Sequence, residues 1–97
     1  HESPLQWQEL LAELLIDLAN VCEVLGKLDE AESLTAEAIS LGEQSENRAL
    51  LAQAYLRSSA NAWARGDYPM HRQMLNLSLD FAHATKAPRL LLAGEFA

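Results

Sequence analysis

"VLGKLDEAESL", residues 24–34, decides how this chain folds. Val24 and Leu25 close a run rich in leucine, alanine and acid; Gly26-Lys27 interrupts it, and Leu28 starts another. A glycine at such a break takes positive φ at little cost, a common way for a helix to end. Asp29 and Glu30 then fall in the first turn of the next helix, where negative charge suits the dipole. The stretch reads as a joint between two helices, and whether it recurs separates an ordinary bundle from a stacked array.

On the N-terminal side, Ser3 can cap, Pro4 suits the first helical position, and Gln6 stands three residues after the cap. Trp7, Leu11, Leu14, Leu18, Val21 or Cys22, and Leu25 recur every three to four residues and draw one apolar stripe on a helix ending near Leu25. After the joint, Leu28, Ala31, Leu34, Ala38 and Leu41 form an inward stripe, with Glu30, Glu32, Glu37 and Ser40 toward water, on a helix ending between Gln44 and Glu46. Asn47 is a cap or turn residue before a third helix at about 48–65, carrying Leu51, Tyr55, Ser59, Ala62 and Trp63. Gly66-Asp67 breaks the chain again. A fourth helix follows over about 68–85, with Tyr68, Met74, Leu75, Ser78, Phe81 and Ala82 inward and Pro69 in its first turn. Ala87-Pro88 is a stop, and a further helix starts after it. No strand pattern survives, so the expected fold class is all-α.

Gly26 and Gly66 are 40 residues apart, and the chain can be laid on itself at that offset. Leu10-Leu11-Ala12 falls on Leu50-Leu51-Ala52, Ala19 on Ser59, Gly26-Lys27-Leu28 on Gly66-Asp67-Tyr68, and Leu41 on Phe81. Each helix pair then has small residues where backbones cross (Ala19 and Ala38, Ser59 and Ser78) and larger ones to fill between pairs (Leu15, Leu34, Tyr55, Phe81). The 97 residues divide into repeat one at about 5–46, repeat two at about 48–86, and the start of another helix at 88–97. With two and a fraction repeats the expectation is one module from a larger protein, and Leu90, Leu91 and Phe96 become a candidate self-association edge.

These residues resemble the tetratricopeptide repeat family. Its pattern of W-x2-L-G-x2-Y in the first helix, then A-x3-F and Pro in the second, falls on Leu15, Leu18, Ala19, Cys22, Ala31, Thr35 and Glu43. In the second repeat it falls on Tyr55, Ser58, Ser59, Ala62, His71, Leu75 and His83. Gly26-Lys27-Leu28-Asp29-Glu30-Ala31 matches the family's common turn closely. His71 in place of a small residue, the missing Pro and the 40-residue period mark a divergent form, most like the longer-linker repeats of bacterial signalling and transcriptional regulators and of cell-polarity adaptors. The resemblance implies a short superhelix whose first helices line a concave groove for a peptide or helix. The groove residues it implies are Glu13, Ile16, Asn20 and Glu23, then Gln53, Leu56, Ala60 and Trp63, with Arg57 alongside.

Charge and composition bound the functions. Net charge is −7, which repels nucleic-acid phosphates. Residues 1–47 hold eleven acids against Lys27 (net −10), and residues 48–97 hold six bases against three acids (net +3). That asymmetry reads either as a solvated acidic face or as halves of opposite potential that favour head-to-tail contact or a basic, amphipathic partner. No apolar run is long enough to span a membrane. The lone Cys22 suits a reducing compartment, and with no signal-peptide pattern the expected location is cytoplasmic.

No residue set points to catalysis, a cofactor or a metal site. Cys22 reads as a small packing residue, and His71 and His83 lack the spaced ligands of a zinc motif. The expected function is protein–protein interaction through the groove. Two alternatives stay open: a self-associating or spacer segment with no groove ligand, and a small-molecule sensor segment gating an attached effector domain.

Overall fold

The computed structural model describes residues 4–85. The cap expected at Ser3, the helix expected at 88–97 and the edge at Leu90, Leu91 and Phe96 lie outside the described residues. Four helices follow in order: α1 (Pro4–Val24), α2 (Leu28–Gln44), α3 (Arg48–Arg65) and α4 (Tyr68–Thr85). No strand occurs among the described residues, and the fold is all-α. Each helix packs on its neighbours in the chain, and α1 also touches α3, so two helix pairs stack with α2 and α3 in the middle.

The three joints share one geometry. At the first, Gly26 donates to the Glu23 carbonyl (3.0 Å) and Lys27 to that of Cys22 (2.8 Å); at the last, Gly66 donates to Trp63 (3.0 Å) and Asp67 to Ala62 (2.9 Å). Both glycines are left-handed, at φ 81° and 80°. This is the reciprocal bonding of a Schellman end, in which the residue after the helix must take positive φ. The middle joint repeats the bonds, Glu46 to Glu43 (3.2 Å) and Asn47 to Gly42 (3.0 Å), but the left-handed residue is Glu46, at φ 53°. A residue with a Cβ there carries about 1–2 kcal/mol of strain. Glu46→Gly should therefore raise stability by about 0.5–1 kcal/mol, read as a shift in the urea midpoint at unchanged slope. An unchanged or lower midpoint contradicts that strain. Asn47 caps α3 by accepting from the Leu50 amide (3.0 Å), and Asp67 caps α4 by accepting from that of Met70 (3.2 Å).

Small residues make the helix crossings. Ala19, Ala38, Ser59 and Ser78 are all buried, as the repeat register requires. Ser59 Oγ donates to Leu56 O within its own helix (2.7 Å), whereas Ser78 Oγ donates to Ala52 O and ties α4 to α3 (2.7 Å). Gly42 plays the same part between α2 and α3, since a Cβ there would lie 3.0 Å from Leu51 Cδ2. The central cluster joins Ala12 and Ile16 of α1, Ala38 of α2, and Leu50 and Ala54 of α3, with Leu15, Ile39 and Leu41 packed around it. Tyr55 stacks on Phe81 with ring centroids 5.6 Å apart and planes parallel to 1°. Burial, and then the charge of Glu43, raise the pKa of the Tyr55 phenol above its ordinary value.

One stripe faces the other way. Trp7, Leu11, Leu14, Leu18, Val21 and Leu25, the periodic apolar set of α1, are exposed, and the helix instead buries Ala12, Ile16 and Ala19. The helix is apolar on two opposite faces, and only the one with small residues lets α2 and α3 approach closely. Tyr68, expected inward on α4, is also more than half exposed, and Cys22 is half-buried.

Candidate ligand cleft between α1, α3 and α4

The concave side of the stack holds a cleft of about 530 Å³ lined by Glu23 of α1, Leu56, Ser59, Ala60, Trp63 and Ala64 of α3, and His71 and Leu75 of α4. It exists because α3 lies between α1 and α4, which do not pack on each other. Ser59, buried at its crossing position, and the half-buried Ala60 form its inner surface, with Ala64 at the exposed edge. Trp63 is 58% exposed, unusual for the largest side chain of a small domain. Its ring makes tilted contacts with Tyr68 (centroids 4.9 Å apart) and His71 (5.1 Å). His71 is itself anchored, with Nδ1 2.9 Å from the Ser59 carbonyl oxygen. A carbonyl only accepts, so that nitrogen carries a proton and donates it.

At the α1 rim, Arg57 Nη1 donates to Asn20 Oδ1 at 2.7 Å and lies 3.6 Å from Glu23 Oε1. Arg57 is thus balanced by its neighbours. A second hollow of about 160 Å³ sits between α2, α3 and α4, lined by Glu32, Asn61, Arg65, Met70 and Met74 among others. Beside it Arg65 donates to Asp29 (2.7 Å) and Glu32 (3.3 Å), and the Asp29 bond raises its pKa above the ordinary guanidinium value. This exposed network is worth little in stability.

The residues expected from the sequence part company here. Glu23, Leu56, Ala60 and Trp63 line the cleft together, and Asn20 and Arg57 close its rim. Glu13 and Gln53 are exposed but not among the lining residues. Ile16 is 8% exposed and belongs to the core, a correction to its place in the expected groove. Its helix is turned so that Asn20, one turn later, sits at the rim while Ile16 points between α2 and α3. His71 and Leu75 were not expected in the cleft; they come from α4, and a first-helix pattern carries no signal for them.

Among the described residues, no group of three or more His, Cys, Asp or Glu side chains could hold a metal ion. None of the helices described is long and apolar enough to cross a membrane. Compared with known proteins, the chain matches no family model, and no curated protein or solved structure is significantly similar to it.

Proposed function

We propose that this chain is a non-enzymatic interaction module that seats an amphipathic, basic peptide or helix in the cleft between α1, α3 and α4. The observation that carries this reading is Trp63, in ring contact with Tyr68 and His71 and open to solvent beside Leu56, Ala60 and Leu75. An exposed tryptophan in a concave apolar setting is the usual anchor of a binding hot spot. Leu56, Ala60 and Leu75 supply the apolar surface beside it, and the net charge of −10 over residues 1–47 favours lysine or arginine on the occupant's other face. The tetratricopeptide resemblance agrees with this use of the first helices, and the same module then belongs to a cytoplasmic regulator.

The test is titration into a set of fluorophore-labelled amphipathic Lys/Leu peptides, followed by the anisotropy of the label, which reads the parent and every variant alike. Trp63→Ala should weaken binding about 30-fold or more, the range of a hot-spot truncation. Leu56→Ala should weaken it less, and Gln53→Ala should leave it unchanged. Equal affinity in the parent and Trp63→Ala, or no binding by any peptide of the set, overturns the reading.

A further inference from the structure

The apolar face that α1 turns to solvent is a seam of regular spacing. Trp7, Leu11, Leu14, Leu18, Val21 and Leu25 follow one another at intervals of four, three, four, three and four residues, the a/d spacing of a coiled coil. All six are exposed, between 49% for Leu18 and 65% for Leu25 apart from Leu11 at 48%. Leu10 and Val24 widen the face on one side, at 48% and 79%. Together these eight residues, each about half exposed or more, form one contiguous apolar face along the helix, the mark of an interaction surface.

We propose that this face is a dimer interface, and that its occupant is α1 of a second copy of the chain, running antiparallel. The spacing is the same read from either end. One two-fold axis therefore sets Trp7 opposite Leu25, Leu11 opposite Val21, and Leu14 opposite Leu18 of the second copy, leaving no apolar layer unmatched. The rest of the fold argues against another helix pair stacking there. Where a pair does stack within this chain, on α3, the positions 40 residues on from Leu14, Leu18 and Val21 are Ala54, Ser58 and Asn61. Ala54 enters the core, and Asn61 reaches the Leu28 carbonyl. Leu10 and Leu11 correspond to Leu50 and Leu51, which are buried in the stack, but from Leu14 onward close stacking uses small or polar residues where α1 carries leucine and valine, which suit knobs-into-holes pairing instead.

This interface lies on the side of α1 away from α2 and α3 and does not depend on the cleft; Trp63→Ala should dimerise as the parent does. It is driven by apolar burial between two acidic repeat-one halves, so added salt, up to about 0.5 M, should tighten it by screening like charges. A head-to-tail contact of acidic half on basic half would weaken instead.

Sedimentation equilibrium of the 97-residue chain should give twice the mass of 10.7 kDa at tens of micromolar and no larger species. Leu14→Glu with Leu18→Glu should return it to monomer with helical circular dichroism retained, because both side chains are exposed in the folded chain. In a Cys22→Ser background, Asp17→Cys should oxidise to a covalent dimer, since position 17 flanks the axis only in the antiparallel arrangement. A strict monomer at several hundred micromolar, open-ended growth, or a dimer unmoved by the two glutamates overturns the proposal. A dimer that does not cross-link at position 17 overturns its antiparallel register.

Discussion

Ile16→Ala is expected to cost about 2–5 kcal/mol of stability, the range for removing a large aliphatic side chain from a packed core. The apolar residues that are fully buried are mostly alanines; Ile16, Leu50 and Leu51 are the large exceptions among those described. Ile16 sits where α1, α2 and α3 meet, against Ala12, Ala38, Leu50 and Ala54. Ala12, Ala38 and Ala54 are too short to reach into the space it leaves, so only the larger neighbours such as Leu50 can relax toward the cavity. A single domain is stable by only about 5–15 kcal/mol, and one this small falls at the low end. Urea unfolding followed by circular dichroism should show the midpoint falling by a third or more. Leu14→Ala, on the exposed face of the same helix, should cost well under 1 kcal/mol below the dimerisation concentration. Similar losses for the two would mean that α1 is rotated from the orientation described.

Asn61→Ala is expected to cost about 1–3 kcal/mol, although the residue is small and its partners number only two. Asn61 is 5% exposed. Its Nδ2 donates to the Leu28 carbonyl at 2.9 Å, and its Oδ1 accepts from Arg65 Nε at 2.8 Å. The first bond joins α3 to the opening residue of α2, and the second orients the guanidinium that meets Asp29 and Glu32. Truncation leaves the Leu28 carbonyl without this donor and frees Arg65, so both the bond and a desolvation term are lost. Arg65→Met removes three charge-assisted contacts, of which the two to Asp29 and Glu32 are exposed and the one to Asn61 is part-buried, and it should cost about 1 kcal/mol. The order of the two losses is the test. If Arg65→Met proves the more damaging, the α2–α3 contact is held by surface charge and not by the buried amide.

Much of the architecture is legible in the chain before it is folded. Helix ends at Gly26 and Gly66, the Asn47 cap and the four buried crossing residues follow from local rules, because capping and positive φ concern only a few neighbouring residues. The 40-residue register carried Ala19, Ala38, Ser59 and Ser78 to the right places, since close helix crossings admit little else. The cleft was legible in part. Glu23, Leu56, Ala60 and Trp63 are first-helix positions, whereas His71 and Leu75 arrive from a helix that the pattern does not address. The joint before Asn47 was legible but its left-handed residue was not, because no glycine marks Glu46 and the Schellman bonds form regardless.

What the sequence by itself determined, among the described residues, is the order, approximate length and type of the four helices and the places where they turn. Those depend on periodicity, caps and glycine, all of which act within a turn or two of the chain. What only the tertiary structure decided is which of the two apolar faces of α1 is core. Hydrophobicity favours the leucine stripe, and packing favours Ala12, Ile16 and Ala19, since α2 and α3 can approach α1 closely only across small side chains. That choice buries Ile16, brings Asn20 to the rim of the cleft and leaves Trp7, Leu11, Leu14 and Leu18 facing outward.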